Sequence, residues 1–219
     1  MITNPQAKRI LCFGDSNTWG QRPDAKARFF PNERWTGQLQ QLLGDNFDII
    51  EEGLNSRTTN LEFSRKPGRN GMEYFRPCLE SHNPLDLIII MLGTNDFKVE
   101  FGPRPPQTIA AALQDYVYIA REVAKNNGRN VPSIAFVSPI LIAADAPDFL
   151  QSYSGIYNQA SAETSGQLAV ILQAMASANR CGFADAAQVA SPGQDGIHMS
   201  LQGHHKLARL LAKSVEEWL

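Results

Sequence analysis

The sequence predicts a three-layer α/β protein: a parallel sheet of five strands with helices on both faces. Two observations carry that prediction. Short runs that are apolar at every position, bounded by turn residues, alternate along the chain with longer amphipathic stretches. A run that is apolar throughout belongs to a strand covered on both faces, as in a parallel sheet. Parallel neighbours then need crossover connections, here supplied by the helices and right-handed.

Residues 10–13, Ile-Leu-Cys-Phe, form the first predicted strand, stopped by Gly14-Asp15-Ser16. A helix over residues 34–43 follows, with Trp35, Leu39, Leu42 and Leu43 at helical spacing and Gly44 ending it. Residues 47–50 make a second strand running toward Gly53. Residues 85–92 are the third and strongest, continuous and β-branched, led by Asn83-Pro84 and stopped by Gly93. One apolar stripe, including Ile109, Leu113, Tyr116 and Ala120, predicts a helix over residues 108–125. A fourth strand spans residues 133–137, a long helix residues 157–179, and a short fifth strand residues 183–185. The final helix begins near Ser200 with Leu207, Leu211, Val215 and Trp218 on one face. No repeat or linker interrupts the pattern, so residues 1–219 read as one domain. Extra length falls in residues 21–33, 60–76, 97–106 and 141–155, which are expected as loops shaping a pocket or subunit contacts.

Composition narrows the function. Twenty Lys and Arg against 22 Asp and Glu leave a net charge of −2. Nucleic acid and anionic membranes both need a dense basic face, so neither is expected as a partner. The longest apolar run, residues 87–92, is far short of the ~20 residues of a membrane helix. Three scattered cysteines without a C-x-x-C pair suit free thiols in a reducing, cytoplasmic compartment. Neither a metal nor a cofactor is expected. His204-His205 has no further ligand at metal spacing and reads as helix surface, and His82 reads as a loop histidine. G-x-G-x-x-G, G-x-x-x-x-G-K-[ST] and G-x-S-x-G are all missing, against dinucleotide binding, P-loop chemistry and α/β-hydrolases.

In an open parallel sheet, ligands bind outside the carboxyl ends of the strands. Polar segments follow four of the predicted strands: Gly14-Asp15-Ser16-Asn17, Gly53-Leu54-Asn55-Ser56-Arg57, Gly93-Thr94-Asn95-Asp96 and Asp195-Gly196-Ile197-His198. Ser16 at a strand-to-helix turn can expose a hydroxyl, although any such turn can carry a capping serine. Asp195 and His198, three residues apart, can pair through one imidazole nitrogen and leave the other for Ser16. Asn95 can donate a side-chain amide to an oxyanion, or simply form an Asx turn. Each feature alone has a plain structural explanation; four of them at matching strand ends point to an active site. Asp15 and Asp96 read as structural hydrogen-bonding residues, and Trp19 and Trp35 as packing.

At these residues the chain resembles the SGNH hydrolases, the GDSL esterase and lipase family. Cys12-Phe13-Gly14-Asp15-Ser16-Asn17-Thr18-Trp19-Gly20 is similar to the family's nucleophile block, with Asn17 where many members carry Leu. Gly93-Thr94-Asn95-Asp96 resembles the G-x-N-D block and Asp195-Gly196-Ile197-His198 the D-x-x-H block. Residues 50–59 and 89–98 further resemble a subgroup of intracellular arylesterases and acyltransferases. The resemblance implies the flavodoxin-like SGNH fold and a serine esterase for small acetyl, short-acyl or aryl esters. Ser16, Asp195 and His198 would be catalytic, with Ser16, Ser56 and Asn95 in the oxyanion hole. Ser56 occupies the position of the family's second-block glycine, acceptable for a backbone donor provided that no positive φ is needed there. Asn17, Thr94 and Ile197, as sequence neighbours of these residues, are expected to bind substrate. The resemblance also implies a dimer-based homo-oligomer, with an octamer among the candidates, and leaves acyl transfer to alcohols open. Deacetylation of acetylated, xylan-type carbohydrates is the alternative within enzymes, and a non-catalytic flavodoxin-like binding module the rival outside them.

Overall fold

A computed structural model describes residues 3–219. Five strands form one sheet: β1 (Lys8–Gly14), β2 (Phe47–Gly53), β3 (Leu87–Met91), β4 (Ser133–Ser138) and β5 (Gly182–Asp185). Every pairing is parallel and the spatial order is β2-β1-β3-β4-β5. The chain leaves β1 toward β2 on one side and returns to place β3 on the other. The order therefore reverses between β1 and β3, and a crevice opens at their carboxyl ends. Gly14 pairs with both Gly53 and Met91, so β2, β1 and β3 finish level with one another.

Eight helices accompany the strands among the described residues. They are α1 (Ser16–Trp19), α2 (Trp35–Leu43), α3 (Gly71–His82), α4 (Pro106–Asn126), α5 (Phe149–Tyr153), α6 (Gln159–Ser165), α7 (Leu168–Ala178) and α8 (Leu201–Trp218). Alternate strand residues face opposite layers. Ile10, Cys12, Ile89 and Val137 pack with Trp35 and Leu39 of α2 and Leu207 and Leu211 of α8. Leu11, Phe13, Ile90 and Phe136 pack with Phe75 of α3, Leu113 and Tyr116 of α4 and Leu172 of α7. Burial on both faces is the reason the strand runs are apolar without alternation.

Three expectations are corrected. Residues 60–76 and 141–155 are not all loop, because α5 lies within the latter, and α3 starts within the former at Gly71, capped by the Asn70 side chain accepting from the Met72 N–H at 3.1 Å. Pro77 lies inside this helix and removes one internal hydrogen bond, which hides it from sequence patterns. The helix expected over residues 157–179 is two helices. Asn158 caps α6 through a reciprocal pair with Ser161, and Gly166 separates α6 from α7. Finally, His204 is not on the surface. Its ring is fully buried, accepts the Trp35 N–H at Nδ1 (3.2 Å) and meets the Phe29 ring edge-on, joining α8 to α2. Burial pushes its pKa down to about 3.

Candidate active site

Both halves of the site come from loops that the sheet brings together. β1 ends at Gly14, and Asp15 caps α1 by accepting the Asn17 N–H at 2.9 Å, which leaves Ser16 as the first helical residue. A Cβ on Gly14 would overlap Thr18 Oγ1, so only glycine lets the turn fold this tightly. The second half precedes α8. Asp195 Oδ1 accepts the backbone N–H groups of Ile197 and His198 at 3.0 and 2.9 Å, winding residues 195–198 into a tight turn. Gly196 takes φ +76°, and a Cβ there would overlap the Ala143 carbonyl oxygen.

The two halves meet at the side chains. His198 Nε2 lies 3.0 Å from Ser16 Oγ, and His198 Nδ1 lies 2.6 Å from Asp195 Oδ2. With Nδ1–H donated to the carboxylate, Nε2 presents its lone pair to the serine hydroxyl. All three residues are buried, so little water weakens these interactions.

Asn95 stands in the 3-10 turn Thr94–Phe97 that follows β3. Its Oδ1 accepts from Tyr157 Oη at 3.3 Å, and its Nδ2 donates to the Arg57 carbonyl at 3.0 Å and Asp15 Oδ2 at 3.3 Å. The Tyr157 and Arg57 contacts fix which end of the amide faces which way. The longer contact to Asp15 leaves the second amide proton beside the Ser16 turn. Ser56 sits third in the turn Leu54–Arg57, closed by the Arg57 N–H on the Leu54 carbonyl at 3.1 Å. Its φ is +68°, which corrects the condition attached to it: the position does need the left-handed conformation that favours glycine. Among the described residues, nothing accepts the N–H groups of Ser16 or Ser56.

Of the three residues expected to touch substrate, Asn17 has another setting. It is 2% exposed, donating Nδ2 to the Ile197 carbonyl (3.2 Å) and accepting the Met199 N–H at Oδ1 (2.8 Å). Both ends of its amide therefore tie the serine turn to the histidine loop. Ile197 is packed in the core with Phe149, and Thr94 is buried with its hydroxyl unpaired among the described residues.

Four residues that sequence reasoning left without a role belong to this neighbourhood. Tyr153 Oη donates to Asp195 Oδ2 at 3.4 Å and lies 3.2 Å from His198 Nδ1; burial and the adjacent carboxylate push its pKa up. Tyr157 is the one holding Asn95. Arg57 spans from its loop to the Gly14 carbonyl at 2.8 Å and covers the Phe13 ring. Lys98 is 5% exposed, with its ammonium 4.5 Å from the Phe63 ring centre, and burial lowers its pKa to about 8. Asp15 is pushed up, mainly by burial and against the Asn17 N–H; Asp96, pushed up to about 6 by burial, accepts from Thr59 Oγ1 at 2.6 Å. The only advance signal was for Tyr153, which lies in the extra segment 141–155 expected to shape a pocket; Tyr157 fell at the start of the expected helix 157–179 and gave none.

The profile of the GDSL-like lipase/acylhydrolase family matches residues 12–206, a span that includes every residue of this geometry. The chain belongs to that family. Solved structures agree with it. An aryl esterase from M. smegmatis, in its inhibitor-bound form, is 40% identical, with a TM-score of 0.89 over 97% of this chain and 100% of its own. A carbohydrate acetylesterase from Sinorhizobium meliloti is 36% identical, with a TM-score of 0.90 over the same shares. Comparison with curated proteins finds no match. This SGNH hydrolase is thus a carboxylic ester hydrolase with the five-stranded fold of its relatives. No helix among the described residues is long and apolar enough to cross a membrane.

Proposed function

We propose that the esterase cleaves small, neutral acetyl, short-acyl and aryl esters through an acyl-enzyme on Ser16. The observation that carries this reading is the unbroken relay from Ser16 Oγ to His198 to Asp195, at 3.0 and 2.6 Å. His198 Nε2 takes the hydroxyl proton as Ser16 Oγ attacks the ester carbonyl, and Asp195 holds the ring and stabilises the imidazolium. The carbonyl electrons move to oxygen, where the N–H groups of Ser16 and Ser56 and the Asn95 amide can donate. Collapse of this intermediate breaks the bond to the leaving oxygen, which departs as an alcohol with the proton from His198. Water, deprotonated by the same His198, then attacks the acyl-serine and releases the acid.

An alcohol in place of water would give a new ester, so acyl transfer belongs to the same proposal. Asn17, Thr94 and Ile197 are assigned to shaping the wall behind the nucleophile, Asn17 as a positioning residue. A dimer-based oligomer is supported by Leu141 and Leu150, 46% and 74% exposed, in the segment that carries Tyr153. The free cysteines support a cytoplasmic location. Deacetylation of carbohydrates is the second reading, favoured by the acetylesterase relative at 36% identity.

A series of p-nitrophenyl esters of rising chain length, run beside acetylated sugars, tests the proposal. Preference for acetyl and short aryl esters, with turnover abolished in Ser16→Ala, is the expected result. Hydrolysis surviving in Ser16→Ala would remove the acyl-enzyme, and a preference for acetylated xylan oligomers would establish the second reading. A sedimentation run giving a 24.2 kDa monomer would defeat the oligomer.

A further inference from the structure

Glu52, near the end of edge strand β2, faces two residues one turn apart on α3, Cys78 and His82. Residues four apart on a helix project from the same side, so thiol and imidazole converge on the carboxylate. One ligand atom from each, Cys78 Sγ, a His82 nitrogen and a Glu52 oxygen, lies within 4.8 Å of the other two. Neighbouring ligands around a tetrahedral zinc ion stand roughly 3.3–3.8 Å apart, given bond lengths of about 2.0–2.3 Å. Small side-chain movements would close that gap. Nothing in the relay at Ser16 uses these three residues.

We propose that Glu52, Cys78 and His82 form a binding site for one zinc-class divalent ion, with water as the fourth ligand. Thiolate, imidazole and carboxylate together select a borderline-soft ion such as Zn²⁺ or Co²⁺ over Mg²⁺ or Ca²⁺, which want oxygen ligands alone. Thiolate and carboxylate carry two negative charges, balancing the ion's two positive ones. His82 Nε2 and Glu52 Oε1 are 2.8 Å apart, and the ion would replace the hydrogen bond between them. Cys78 is fully buried, whereas the side chains of His82 and Glu52 are 26% and 20% exposed, so the ion would enter from their side. A groove of about 420 Å³, lined by Glu52 together with Arg57, Glu73, Tyr74 and Pro77, borders the carboxylate side of the site.

Chelator-treated, dialysed protein titrated with Co²⁺ tests the site, because a cysteine ligand gives a thiolate-to-cobalt absorption band in the near ultraviolet that nitrogen and oxygen ligands do not. One equivalent should saturate this band, Zn²⁺ should displace it, and Zn²⁺ should raise the melting temperature. Cys78→Ser should abolish the band. His82→Gln, at a partly exposed position where folding is not threatened, should weaken cobalt binding at least tenfold and remove the thermal shift. A wild-type titration with no thiolate band, or a band of unchanged strength and midpoint in His82→Gln, would overturn the proposal. Activity is not the readout, so failure here leaves the esterase reading untouched.

Discussion

Replacing His204 with asparagine should make the esterase less sensitive to acid. The ring is fully buried between α2 and α8, Nδ1 accepts the Trp35 N–H, and Nε2 has no partner among the described residues. Protonation would therefore place a charge in the core with nothing to receive it and would remove the acceptor for Trp35. Burial, helped by the charge of Arg34, lowers the folded pKa from 6.5 to about 3. Because the folded value lies below the unfolded one, the unfolded chain binds more protons between pH 3 and 6.5, and stability is lost as pH falls through that window. Between pH 7 and 5 the loss is about 2 kcal/mol, since each unit of difference is worth about 1.4 kcal/mol. The asparagine amide of His204→Asn would keep an acceptor near the Nδ1 position but cannot titrate. Urea denaturation of both proteins at pH 7 and pH 5, at one protein concentration, measures the difference. The variant should start lower at pH 7, from lost packing, yet lose about 2 kcal/mol less on acidification. Every other titrating group is common to both, so it cancels in the comparison. Parallel losses in the two proteins would refute the reasoning and show that acid acts elsewhere.

Asn95→Ala should lower kcat by about 10²–10³ with the fold retained on circular dichroism, and wild-type turnover would remove the amide from the oxyanion hole. Tyr157→Phe deletes the donor that orients that amide, a bond worth about 1 kcal/mol, so kcat should fall roughly fivefold with KM unchanged. Asn17→Leu installs the family's common residue but orphans the Ile197 carbonyl and Met199 N–H, at about 1–3 kcal/mol each. Its melting temperature should drop by roughly 5–15 °C, and a variant as stable as wild type would contradict the bridging role. Lys98→Met should be the more stable protein at pH 7. In the wild type the folded pKa of about 8 lies below the unfolded 10.5, so stability should climb between those values by on the order of 3 kcal/mol, a climb absent from the variant.

Strand positions were legible because a strand buried on both faces must be apolar throughout, and such runs are short and sharply bounded. The expected limits at residues 133–137 lie within one residue of β4, whereas the half-buried edge strand β2 runs three residues past its expected end at residue 50, through Glu51-Glu52-Gly53. Helix limits were legible where caps and an apolar stripe agree, as for α4 and α8. They failed at α3, where Pro77 and a polar face conceal the periodicity. They failed again between α6 and α7, where an Ala- and Ser-rich stretch gives no sign that the chain turns at Gly166.

By itself the sequence determined the esterase's fold class and its three motif blocks, because strand apolarity, tight glycine turns and short-range spacing are local properties. Asp195 and His198 could be paired on paper since the turn between them is only three residues long. Tertiary structure decided what distant segments do to one another. Strand order brings Ser16 against His198 across 182 residues and folds Tyr157 onto Asn95 across 62. The same order turns Asn17 inward as a bridge, buries His204 and sets Glu52 opposite Cys78 and His82. Convergence of that kind depends on which elements neighbour each other in the packed layers, and no window of sequence contains both partners.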